Sequence, residues 1–177
     1  MILLFNRTRC ADQVIKDVLA FAARRVGVKG DTPVKVSTGR YNTEGVAYNS
    51  FPYLWYMKGG RRYKTKRTSH LIGNVGYITM SVPMGIDPLA VAESFMRVAL
   101  HEMGHIRSYR DGTYGKEREP TTRTGRRIAH DQRPCEILAN NYADDAIATR
   151  AHRVQRDELV LALAIAIESA QHGDRRR

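Results

Sequence analysis

Cysteine is scarce: Cys10 and Cys135 are the only two in 177 residues. Two thiols without a Cys-x-x-Cys pair exclude a disulfide-stapled scaffold and a zinc ribbon, and they point to a reducing compartment. Long apolar runs are missing as well. No stretch approaches the ~18–20 apolar residues of a membrane span, so no membrane partner is expected. The opening run Met1-Ile2-Leu3-Leu4-Phe5 meets Asn6-Arg7 before it reaches the length of a secretory apolar segment, and no basic region precedes it. The expectation is a chain without a signal peptide that works in the cytoplasm or inside a virion. Acidic residues are the third shortage: 18 Asp and Glu stand against 29 Lys and Arg, a formal net charge of +11. Such an excess keeps nucleic acid or another polyanion open as a partner of the basic surface. It also serves solubility, because charge bears on association rather than on fold.

The length suits a single domain over residues 1–177, with no internal repeat or low-complexity tract. Between Ala11 and Val26 the residues Val14, Ile15, Val18, Leu19, Phe21, Ala22 and Val26 recur at helical spacing, and Gly27 and Gly30 follow as stop signals. Residues 33–83 change character. Pro33-Val34-Lys35-Val36-Ser37 alternates, Asn42-Thr43-Glu44-Gly45 reads as a turn, Val46 to Met57 is rich in aromatics, and Tyr77 to Val82 alternates with Ile78, Met80 and Val82 on one face. Three or four strands of a small, mostly antiparallel sheet are expected. Asp87-Pro88 then opens a long helix, Asp as N-cap and Pro at the first helical position, running to about Asp111-Gly112. Residues 112–133 are polar and basic and read as a long loop. Pro134 starts a helix to about His152, and a last helix from Asp157 to about Gln171 is almost wholly apolar over residues 159–167 and is expected to be well buried. The tail 173–177 is basic and reads as frayed.

The chemistry is concentrated in His101-Glu102-Met103-Gly104-His105. On a helix His101 and His105 differ by about 40° and one turn, so two imidazoles can bite one ion. Zinc is the metal such nitrogen donors suit, with one position left for water. Glu102 shares that sector and would take the proton of a zinc-activated water. Val98, Ala99, Met103, Gly104 and Ile106 turn the pair inward, although Arg107 sets a charge in this stretch. The alternating strand just upstream offers an edge where a peptide could add. A third ligand has to come from elsewhere. Glu136, Ala139, Asn140 and Ala143 share one helix face, and the two alanines allow a close approach that brings the Glu136 carboxylate to the metal. A glutamate favoured by a helix N-terminus is the plain alternative.

His101-Glu102-Met103-Gly104-His105 followed by Glu136-x-x-Ala139-Asn140-x-Tyr142-Ala143 resembles the ImmA/IrrE family of metallopeptidases. The resemblance covers residues 76–152, with a longer basic segment between the motifs and a more cationic composition than that family leads one to expect. It implies an α+β, zincin-like (gluzincin-type) fold with the sheet packed on the HExxH helix. It also implies a Zn2+ cofactor on His101, His105 and Glu136, and hydrolysis of a specific protein or peptide substrate. Relatives occur in bacteria, phages and other mobile elements.

Several alternatives stay open at this stage. Asp111 lies where metzincin-type enzymes place a third ligand, but Ser108 stands where the chain-turning glycine would be. His130 is a candidate catalytic residue, as a hydrogen-bond donor to an oxyanion, and with Asp131 it could reach the site. Tyr109, Tyr114 and Tyr142 could donate in the same way. His70, His152 and His172 have no partner at ligand spacing. The basic runs 58–67 and 118–127 suit either solvent or nucleic acid. A different class of function is a phage, virion or mobile-element component that keeps the metal site while its main role is structural or DNA-binding.

Overall fold

The structure is a computed structural model that describes residues 1–39, 42–48, 55–58, 61–64, 76–113 and 129–172, with 55–58 and 61–64 described as backbone alone. The expected loop therefore falls largely outside the described residues, as do Tyr114, His70 and the tail 173–177.

The chain opens with a strand the sequence did not announce, β1 (Ile2–Asn6). It leads into α1 (Asp12–Val26), which buries Ile15, Val18, Leu19, Ala22 and Val26 and ends at Gly27 with φ 79°, a conformation only glycine adopts without strain. β2 (Thr32–Gly39) returns beside β1 in parallel register, Leu4 opposite Val34. β3 (Gly45–Tyr48) follows, then a separate two-stranded hairpin of β4 (Trp55–Lys58) and β5 (Arg61–Lys64). β6 (Tyr77–Pro83) inserts between β2 and β3, giving the order β1-β2-β6-β3.

This sheet corrects the antiparallel expectation. β1–β2 and β2–β6 are parallel, and only β3–β6 is antiparallel. The physical reason lies at the N-terminus. β1 carries no alternation to mark it, yet once it is a strand, β1-α1-β2 is a helix-connected unit, and such units join parallel strands.

Alternation along β2 and β6 is as expected: Val34, Val36, Ile78, Met80 and Val82 are buried, while Lys35, Thr79 and Ser81 between them are not. The buried face packs on helices, making, among the described residues, an α+β fold of four helices and a small mixed sheet. The central element is α2 (Pro88–Asp111), capped by the Asp87 carboxylate accepting from the Leu89 N–H at 3.1 Å. It contacts α1, β3 and β6, together with α3 (Pro134–Ala148) and α4 (Arg153–His172). Short 3-10 turns, His130–Gln132 and Arg150–His152, precede α3 and α4. The helix expected to reach His152 thus stops at Ala148, where Thr149 turns its hydroxyl onto the Asp145 carbonyl at 2.7 Å.

α4 also departs from expectation. An apolar run of nine residues passes round every side of a helix, so it cannot all face inward. Val160, Leu163, Ala164 and Ile167 are buried against α1 and α2, whereas Leu161 and Ile165 are 57% and 56% exposed. Among the described residues no helix is long and apolar enough to cross a membrane.

The face assignment of α4 is directly testable. Leu163→Ala should cost about 2–5 kcal/mol of stability, and Leu161→Ala less than about 0.5 kcal/mol, both measured by denaturant unfolding. Equal costs would mean that α4 is rotated relative to this description.

Candidate metal centre

His101 and His105 stand one turn apart on α2, ring centroids 4.7 Å apart and nearly perpendicular. Glu136 comes from the first turn of α3. What lets α3 come so close is the absence of side chain between the helices. A methyl at Gly104 would lie 2.9 Å from the Ala139 Cα, tighter than a real contact permits, and Ala139 and Ala143 are themselves fully covered. The small residues thus act as predicted, letting two backbones meet so that a short carboxylate side chain spans the gap.

The convergence is tight. His101 Nε2 is 3.1 Å from Glu136 Oε2, His105 Nε2 is 3.3 Å from the same oxygen, and the two imidazole nitrogens are 3.1 Å apart. A tetrahedral ion with ligand bonds of about 2.0–2.1 Å has ligand–ligand edges of about 3.3–3.4 Å. The three atoms therefore outline one face of such a tetrahedron. Asn140 Oδ1 lies 2.9 Å from His101 Nδ1, so an Nδ1–H donated to it would leave Nε2, which faces the Glu136 carboxylate, as the ligating atom. Burial lowers the His105 imidazole from its ordinary value, ahead of the opposing pull of Glu136, which favours the neutral form that can ligate a metal. The group His101, His105 and Glu136 could hold a metal ion, and the donor set fits zinc.

Glu102 sits beside this cluster and is buried. β3 crosses directly over it: a methyl at Gly45 would lie 2.6 Å from the Glu102 Cγ and 2.5 Å from the Val98 Cγ1. Burial pushes the Glu102 carboxyl from its ordinary 4.5 up to about 8; the Glu136 charge adds to the shift, and the Ala47 N–H, which donates to the carboxylate, opposes it. Among the described residues, the Glu102 Oε2 and the His105 Nδ1 are buried without a hydrogen-bond partner.

Other candidates fall where the sequence could not place them. His130, in the 3-10 turn before α3, sets its Nε2 3.2 Å from the other Glu136 oxygen, Oε1, with its side chain 73% exposed. Tyr109 lies one turn beyond His105, its ring stacked on that imidazole at 6.1 Å, and its hydroxyl reaches the Ala47 carbonyl at 3.5 Å. Burial raises that phenol to about 12. Asp111 is not part of the cluster and pairs with Arg107 at 3.3 Å. Arg107, the charge in an otherwise apolar stretch, donates to the Val26 carbonyl at 2.8 Å and lies 4.6 Å over the Tyr142 ring, so it ties α2 to α1 and α3. Tyr142 is thereby a packing partner. Asp131 is exposed, and His172 approaches only Glu168, at 3.8 Å.

The strand expected to receive a peptide changes too. β6 is paired on both sides and has no edge to offer; among the described residues the edge beside the site belongs to β3. Three contributors escaped the sequence reading. Asn140 as the orienter of His101 was signalled by its position one turn after Glu136, on the same face. Gly45 and Ala47 over Glu102 had no signal, because contact across the sheet is not written in local periodicity.

No protein-family model, curated protein or solved structure matches the chain. The chemistry of the site rests on its own donor set.

Two outcomes follow from this geometry. Gly104→Ala must push α3 off α2, so affinity for a divalent metal in chelator competition should fall together with a loss of about 1–3 kcal/mol in stability. The second concerns pH. As pH rises from 4.5 to about 8 the unfolded chain releases the Glu102 proton while the folded chain keeps it, which favours unfolding increasingly across that window. Glu102→Gln should therefore raise the melting temperature of chelator-treated protein, more at pH 8 than at pH 5. An equal effect at both pH values would contradict the burial assigned to this carboxyl.

Proposed function

We propose that this chain is a zinc-dependent peptidase of the ImmA/IrrE type, acting on a protein or peptide partner, with His101, His105 and Glu136 as metal ligands and Glu102 as general base. The observation that carries the reading is the meeting of two imidazole nitrogens and one carboxylate oxygen beside a second buried carboxylate. A zinc ion, when bound, supplies a Lewis acid that polarises the scissile carbonyl and acidifies the attacking water.

The chain's own residues divide the remaining work. Asn140 holds the His101 ring by its Nδ1–H, keeping Nε2 free to ligate. Glu102 accepts the proton of the attacking water and returns it to the leaving amine. A carboxyl raised toward neutrality is matched to both transfers, and a nearby divalent charge would draw it lower, into the form that accepts. Among the described residues β3 is the sheet edge beside the site, where an extended peptide could add, with the Ala47 N–H and carbonyl there already serving Glu102 and Tyr109. A purely structural metal site would have no use for this second carboxylate, since burying it next to Glu136 costs stability.

The net charge of +11 favours a second reading, a virion or mobile-element component that binds DNA or another polyanion while retaining the metal site.

Metal content by mass spectrometry, with peptide hydrolysis measured on the same samples, separates them. One zinc per chain is expected, kept in Asp111→Ala and lost or much weakened in Glu136→Ala. Glu102→Gln should keep the zinc while hydrolysis falls ~10²–10⁴-fold. Zinc-loaded protein with no Glu102-dependent hydrolysis, yet with polyanion binding that falls steeply with salt, would favour the second reading.

A further inference from the structure

The two oxygens of the Glu136 carboxylate have different neighbours. Oε2 faces both imidazole nitrogens of α2, at 3.1 and 3.3 Å. Oε1 faces away from them, toward His130 Nε2 at 3.2 Å. That split is unusual in its placement. Glu136 is nearly covered, whereas His130 is 73% exposed, so an outlying side chain reaches in to a buried oxygen. His130 is held there by local backbone: it begins the 3-10 turn, the Gln132 N–H returns to the Ala129 carbonyl at 3.0 Å, and the Arg133 N–H to the His130 carbonyl at 3.2 Å. The turn runs straight into α3, so the histidine and the glutamate are fixed on one short, continuous piece of chain.

We propose that His130 is a positioning residue that restricts Glu136 to binding the metal through one oxygen. The inference rests on the metal-ligand reading above. A carboxylate can ligate zinc with one or both oxygens. Two-oxygen binding would fill a coordination position that a hydrolytic site must leave open. An N–H donated from His130 Nε2 to Oε1 occupies that oxygen and turns it away, so Oε2 alone is presented to the ion. His130 then acts through Glu136 and not on the substrate, which differs from the oxyanion donor that its place in the sequence suggested.

Cobalt(II) tests this without reference to hydrolysis, because its visible absorption is strong in four-coordinate sites and weakens as further ligands are added. The full-length chain, its His130→Ala and its His130→Gln variants would be titrated with cobalt(II), and affinities would be taken from chelator competition. Expected is a strong wild-type band, a weakened and shifted band in His130→Ala with affinity lower by ~10–100-fold, and recovery of both in His130→Gln, whose amide N–H can reach the same oxygen. Because the side chain is exposed, melting temperatures of the metal-free variants should match the wild type, which shows that any change is at the metal. A wild-type band and affinity in His130→Ala would overturn the proposal while leaving the metal centre standing, and so would failure of His130→Gln to recover either. No cobalt binding by the wild type would remove the metal centre itself, and this inference with it.

Discussion

Glu136 can meet His101 and His105 only where the backbones of two helices come together without side chains between them, and Gly104 against Ala139 is that place. A carboxylate on a two-carbon stem has little reach. If α2 and α3 were separated by ordinary side chains, near the 8–10 Å usual for packed helices, the oxygen would stop short of the imidazoles. The rest of the fold serves this contact. α1, α4 and the sheet bury α2 on its remaining sides, and Arg107 fastens its C-terminal turns to the Val26 carbonyl and the Tyr142 ring. Asn140, one turn along α3 from Glu136, then sets the orientation of His101. Distance and ring orientation thus both derive from one close approach.

The site is also where the molecule gives up stability. Glu102, Glu136 and His105 are buried around the half-buried His101, and burial, with the charge of Glu136, pushes the Glu102 carboxyl up. Such a group opposes folding above the pH at which the unfolded chain would ionise it. A metal ion bound there would reverse the sign of this local repulsion, and folding and metal uptake would then reinforce one another.

Much of this was legible in the sequence because it was local. The Asp87-Pro88 start of α2, the alternation of Ile78, Met80 and Val82, the one-turn spacing of the histidines, and the shared face of Glu136, Ala139 and Asn140 all follow from periodicities of one or two turns. What was not legible depended on pairing between distant segments. The parallel sheet turned on β1, five residues with no pattern of their own. β6 looked like a free edge because nothing near Tyr77 to Val82 shows that Gly45 to Tyr48 pairs beside it. The apolar run of α4 hid its exposed side because composition says how much of a helix is apolar but not which face meets the core.

The backbone of Ala47 serves α2 at both of its polar groups: its N–H goes to the Glu102 carboxylate and its carbonyl takes the Tyr109 hydroxyl. Along a strand, amide hydrogens are ordinarily shielded from exchange with solvent by the neighbouring strand, and they open when the sheet opens. The Ala47 hydrogen is shielded by a side chain. Its exchange rate therefore follows the position and charge of Glu102 and not the opening of β3 from β6. One backbone amide thus acts as a built-in probe of the Glu102 carboxylate, readable without substrate.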